Sequence, residues 1–127
     1  MVDTPKKARI LLVDDELTFG EIMKQEARIR DISIVVCISL LNPGLLKGQK
    51  FDAAIVDYDL GMQTGPELGK KLVNVLGNDL PVLLISQKDR VESEGMEWPK
   101  NIRKFMNKEA GFKAIIDAAL EMCGEPK

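Results

Sequence analysis

Histidine does not occur in this chain of 127 residues. That one absence removes imidazole acid–base catalysis, Ser-His and Cys-His nucleophile pairs and imidazole metal ligands together. Cysteine is scarce. Cys37 and Cys123 lie far apart in apolar patterns, with no metal-site or redox spacing, and read as reduced, buried thiols of a cytoplasmic protein. No basic run appears, net charge is −2 and the pI is near 5.2, which argues against direct nucleic-acid or anionic-membrane binding. No stretch approaches the length of a membrane span, and MVDTPKKARI is not a signal peptide. What remains for chemistry is carboxylates, hydroxyls, lysine and a hard metal.

The chain is 45% hydrophobic and 30% charged, the composition of a globular protein, and its length suits one compact domain over residues 1–127. Apolar runs alternate with helical patterns. Arg9 to Val13 predicts a first strand, followed by a helix from near Thr18 with Phe19, Ile22, Met23 and Ala27 on one face. Ile32 to Ile38 predicts the second strand. Asn42-Pro43 then starts a short helix that Gly48 closes.

Phe51 to Val56 predicts the third strand, and Gly65-Pro66 opens a helix with Leu68, Leu72, Val75 and Leu76 facing inward. Leu80 to Ile85 and Ile102 to Asn107 predict the fourth and fifth strands. Between them, Gln87 to Lys100 has only a weak apolar period and implies a short or frayed helix. Phe112, Ile115, Ile116, Ala119, Leu120 and Cys123 make the apolar face of a last helix. Apolar strands alternating with helices describe an α/β fold, a parallel sheet covered on both faces. Ligands of such sheets sit beyond the carboxyl ends of the strands.

Acids gather at those ends. AAIVDYDLG delivers Asp57 and then Asp59, and the first strand runs into Asp14 and Asp15. The fourth strand ends in Ser86, and the fifth leads to Lys108. A lone strand-end Asp is more often a turn or helix cap, and a lone Ser or Lys is more often solvated. The signal is that all of them fall at the same end of four strands. Clustered carboxylates repel unless a cation neutralises them, and oxygen-only ligands favour Mg²⁺ first and Mn²⁺ next. Nucleophilic carboxylate, metal, lysine and hydroxyl together suit transfer of a phosphoryl group onto Asp57.

Over essentially its whole length the sequence resembles the receiver domains of two-component response regulators, in particular the single-domain chemotaxis regulators. ILLVDDE carries the acidic pair Asp14 and Asp15; AAIVDYDLGMQTG carries the phosphoacceptor Asp57 and the turn glycine Gly65. VLLIS carries the switch hydroxyl Ser86, and FMNK carries the aromatic switch Phe105 and the lysine Lys108. The resemblance implies a flavodoxin-like, three-layer fold with strand order 2-1-3-4-5. It implies a phosphoprotein whose Asp57 is phosphorylated by a sensor histidine kinase or phosphotransfer protein, since a chain without histidine is not its own donor. Asp15, Asp57 and the backbone carbonyl of Asp59 would bind Mg²⁺ (or Mn²⁺), with Asp14 acting through water. Lys108 would contact the phosphoryl oxygens, while Ser86 and Phe105 would move and bias the face of the fourth helix, fifth strand and fifth helix toward an unknown downstream protein. Beyond its own phosphotransfer and autodephosphorylation, such a domain is not an enzyme.

The sequence departs from the family pattern at four places. Glu109 stands where a proline, often cis, follows the lysine; Gln87 replaces a small residue after the switch hydroxyl; Gly61 replaces a frequent proline; and Trp98-Pro99 stands before the fifth strand. Trp98 reads as a partly buried cover of the sheet edge, or else as an anchor for a partner. By the same resemblance, Asp59 and Lys88 flank the phosphate. Their pairing, with Gln87 beside them, implies slow dephosphorylation.

Three other readings compete: an aspartyl-nucleophile phosphatase, an FMN binder, and a degenerate receiver that binds partners without phosphate. Asp57-Tyr58-Asp59 also resembles the DxD motif of haloacid-dehalogenase-like phosphatases, but there the motif lies near the N-terminus and the further acids follow it. An FMN-binding flavodoxin needs a phosphate loop where this chain has Asp14-Asp15-Glu16, which would repel phosphate.

Overall fold

The computed structural model describes residues 8–37, 48–57, 74, 80–86 and 102–123. The elements are β1 (Arg9–Val13), α1 (Leu17–Ile29), β2 (Ser33–Cys37), β3 (Ala53–Asp57), β4 (Val82–Ser86), β5 (Ile102–Asn107), a 3₁₀ turn (Lys108–Ala110) and α2 (Phe112–Cys123). All five strands join one parallel sheet in the order β2-β1-β3-β4-β5. Both strand order and direction agree with expectation. The segments expected to hold the other helices, at 42–47, 65–76 and 87–100, lie outside the described residues apart from position 74. Gly48, expected to close the first of them, has φ 86°.

Alternation of side chains along the strands divides the apolar residues between the two faces. Ile10, Leu12, Ile55, Leu83 and Ile85 pack with Met23 and Ala27 of α1 and with Ile115, Ile116 and Ala119 of α2. Leu11, Val13, Ala54, Val56, Val82 and Leu84 form the second cluster. With both faces buried, the central strands have no polar alternation to show. That is why they read as plain apolar runs.

The strand ends shift slightly from expectation, and the shift matters. β3 includes Asp57 as its last residue, and β4 includes Ser86. In β5 the register slips between Val82 and Leu83, so that Ile102 pairs with Val82 but Lys104 with Leu83. The bulge leaves Arg103 and Lys104 exposed side by side on the edge strand. Beyond it, Phe105 packs on the second cluster and Met106 on the first.

Helix α1 stops without a glycine. Asp31 takes φ 56°, the Asp31 amide donates to the Arg28 carbonyl and the Ile32 amide to the Ala27 carbonyl, a Schellman closure. Aspartate tolerates the left-handed region better than most residues do, so this stop carried little sequence signal. Ile22, expected inward, is half-buried, whereas Glu26 is buried. Arg30 lies 3.9 Å from Glu26 and also pairs with Asp117 of α2, which ties the two helices together at their surface. Neither cysteine is in a disulfide, and burial, with the nearby charge of Asp52, pushes the Cys123 thiol up to about 11. No helix among the described residues is long and apolar enough to cross a membrane.

The approach of α1 to β2 depends on Gly20. A Cβ placed there would lie 3.3 Å from Val36 Cγ1, so a larger side chain fits only if Val36 or the helix gives way. Gly20→Leu is expected to destabilise the domain by about 1–3 kcal/mol through overpacking, measured by urea unfolding. Unchanged stability would mean that α1 is not seated on β2 as described.

Candidate phosphoryl and metal site

Strand register brings the candidate residues to one end of the sheet. Val13 pairs with Val56, so Asp14 and Asp57 follow at matching positions on adjacent strands. Asp57 pairs with Ile85 and Ser86 with Asn107, which sets Ser86 and Lys108 at the same end of the sheet. The strand order reverses between β1 and β3, and that crevice is where α/β sheets bind ligands.

Asp14, Asp15 and Asp57 each offer a carboxylate oxygen within 4.8 Å of the others. Asp14 and Asp57 are buried, and Asp15 is exposed. Asp14 Oδ1 accepts from the Glu16 amide at 2.8 Å, which turns the chain into α1. The Asp14 amide donates to the Cys37 carbonyl of β2.

Lys108 comes from the far side of the sheet. Three strand spacings separate β5 from β1, roughly 14 Å, too far for the strand end alone to place an ammonium beside Asp14. The 3₁₀ turn carries the chain onward from β5, and Asn107 Oδ1 caps it by accepting from the Glu109 amide at 2.8 Å. A proline at 109 would have no such N–H to give. At this departure from the family pattern, the turn is held by a side-chain cap. Among the described residues there is no cis peptide.

The Lys108 Nζ then lies 2.9 Å from Asp14 Oδ2, 3.5 Å from Asp57 Oδ2 and 3.7 Å from Glu16 Oε1. Asp14 is fully buried, and among the described residues the Lys108 ammonium is the ion-pair partner of its Oδ2. Burial works to lower the Lys108 pKa, but the contact with Asp14 and the charges of Asp14, Asp57 and Glu16 outweigh it and raise the net value. Among the described residues, four carboxylates against one ammonium leave an excess of negative charge.

That excess and a donor set made only of oxygen fit a hard divalent cation. Asp14, Asp15 and Asp57 would hold it. The expected counter-charge is thus met in part by the chain's own ammonium.

Ser86 ends β4, and Phe105 is half-buried in β5 against Leu84's side of the sheet. Asp59, Gly61, Gly65, Gln87, Lys88 and Trp98, with the roles expected of them, lie outside the described residues. Sequence reading missed three participants. Glu16 passed as the tail of an acidic run, Asn107 as a strand end, and Phe19 as core only. Phe19 is in the core, but its ring centroid also lies 4.5 Å from Lys108 Nζ. The available signal was position, since Phe19 sits in the first helical turn after the acidic pair.

Removing the ammonium would strand a buried carboxylate. Lys108→Ala is expected to lower the stability of the metal-free domain by about 3–5 kcal/mol at neutral pH. Folding raises this lysine's pKa, so its contribution is whole below the ordinary value of 10.5 and fades as pH climbs through the higher folded value. Urea unfolding of wild type and variant should therefore show a constant gap up to about pH 10, narrowing above it. A gap that closes near neutral pH would contradict the ion-pair assignment.

No family model matches the sequence, and no curated protein matches it at a significant level. Solved structures do match in fold. A receiver domain protein from Methanospirillum hungatei JF-1 superposes with TM-score 0.77 at 16% identity, covering 93% of this chain and 94% of that one. The receiver domain of a sensor histidine kinase from Pseudomonas aeruginosa PAO1, with magnesium coordinated in its active-site cleft, gives 0.77 at 13%, covering 94% and 100%. A response regulator from Burkholderia pseudomallei, with a phosphorylated aspartate, calcium and citrate, gives 0.69 at 18%, covering 89% of this chain and 66% of that one. The fold of this chain is that of response-regulator receiver domains.

Proposed function

We propose that this receiver fold, residues 1–127, is a cytoplasmic phosphoacceptor domain of a two-component system, with Asp57 the residue that takes the phosphoryl group. The observation that carries the reading is the placement of Lys108 Nζ between Asp14 and Asp57 beside a three-carboxylate cluster. Structural neighbours with a phosphorylated aspartate and with bound magnesium support it.

The chemistry follows from the residues. A phosphohistidine on a partner kinase or phosphotransfer protein presents its phosphorus to Asp57. One Asp57 oxygen forms the new P–O bond as the P–N bond breaks, and the imidazole leaves with that electron pair and takes up a proton from solvent. Charge on the phosphoryl oxygens then accumulates among acids. Lys108 offsets part of it, and a divalent cation held by Asp14, Asp15, Asp57 and the Asp59 carbonyl supplies the rest of the neutralisation when bound.

Ser86 and Phe105 are the proposed switch. A phosphoryl group on Asp57 offers the Ser86 hydroxyl a strong acceptor from the next strand. Phe105 shares β5 with the approach to Lys108, so a shift of either biases the other. The output is a population shift of the face around β5 and α2, read by a partner protein. The domain turns over no substrate beyond its own acyl phosphate.

Acetyl phosphate with Mg²⁺ is expected to add one phosphoryl mass to wild type and none to Asp57→Asn, read by intact-mass spectrometry. Asp15→Asn should raise the Mg²⁺ needed for half-maximal thermal stabilisation by on the order of tenfold. Labelling of Asp57→Asn at the wild-type rate would move the site elsewhere. A wild type that takes neither phosphoryl nor beryllofluoride would favour phosphate-independent binding.

A further inference from the structure

Lys108 is held from three sides by acids, and on one more side by an aromatic face. The Phe19 ring centroid lies 4.5 Å from Lys108 Nζ, well inside the range at which a ring quadrupole attracts an ammonium. Both partners are largely out of water, Phe19 at 9% exposure and Lys108 at 8%. Phe19 is itself fixed. It sits in the first turn of α1, packed in the same cluster as Ile10, Leu12 and Met23.

Charge alone does not place this ammonium. Asp14, Asp57 and Glu16 all attract it, and Glu16, nearly half exposed, is the most solvent-facing of the three. A long lysine chain among several acids has several near-equal resting places, whereas an aromatic face favours a cation over the ring and adds direction that unscreened acids lack.

We infer that Phe19 is a positioning residue for Lys108, holding the ammonium deep beside Asp14 and Asp57 so that it meets the phosphoryl group. The inference rests on the phosphoacceptor reading for its functional consequence, but not for the restraint itself. Phe19 touches no reacting atom. It acts through Lys108, and it ties the start of α1 to the chemical state of the site.

The experiment compares wild type, Phe19→Leu and Phe19→Tyr, with Phe19→Leu repeated in a Lys108→Ala background. Phe19→Leu keeps apolar bulk without a π face; Phe19→Tyr keeps the face. Two readouts are taken on the full chain: the rate of phosphorylation by acetyl phosphate with Mg²⁺, and the mobility of the Lys108 side chain by ¹³C relaxation in the metal-free protein. Phe19→Leu is expected to slow phosphorylation about three- to tenfold and to loosen Lys108, and Phe19→Tyr to restore both. In the Lys108→Ala background, Phe19→Leu is expected to have no further effect on the rate.

A purely packing role would slow both backgrounds by the same factor and leave Lys108 as rigid in Phe19→Leu as in wild type; either result overturns the inference. Should wild type resist phosphorylation while Lys108 still loosens in Phe19→Leu and tightens again in Phe19→Tyr, the phosphoacceptor reading fails and the restraint on Lys108 stands.

Discussion

Everything at the carboxyl end of this sheet depends on one ammonium surrounded by carboxylates. Asp14 is fully buried, and Asp57 nearly so. Two such acids side by side would be costly to fold if nothing balanced them, because burial removes the water that screens them. Lys108 supplies that balance from the opposite side of the sheet, at 2.9 Å from one and 3.5 Å from the other. The balance is incomplete by design of the charges, for Asp15 and Glu16 add two more acids at the rim. A site left negative in this way favours a divalent cation.

The rest of the architecture can be read as support for that ammonium. β1 and β3 deliver the acids at matched register, and β4 spaces β5 away from them. The Asn107 cap holds the turn on which Lys108 rides, and α1 sets the Phe19 ring against the lysine. Packing of α1 and α2 on one sheet face, with Arg30 bridging to Glu26 and Asp117, keeps these parts in fixed relation. A change of charge at Asp57 would therefore bear on β1, α1 and β5 together, as the proposed switch requires.

Most of the fold was legible because a parallel sheet buried on both faces leaves a plain mark. Residues 10–13, 53–56 and 82–85 are unbroken apolar runs, and each is followed by an acid or a hydroxyl. The acidic pair, Asp57 and Lys108 stood out for the same reason, as polar groups at the ends of runs that had no other use for them. The stop of α1 was less legible, since Asp31 does a glycine's work there. The bulge in β5 left no mark either, because Arg103 and Lys104 look like ordinary edge-strand charges.

By itself, then, the sequence determined which runs become strands and which residues are candidates for chemistry, since both follow from local pattern and residue type. Only the tertiary structure decided how the charges meet. Lys108 lies fifty-one positions after Asp57 and ninety-four after Asp14 by their numbering. Its pairing with Asp14 and Asp57, the turn that carries it and the ring of Phe19 beside the ammonium are relations between distant segments. Contacts of that kind depend on register and on the path of a turn, and no periodicity along the chain records them.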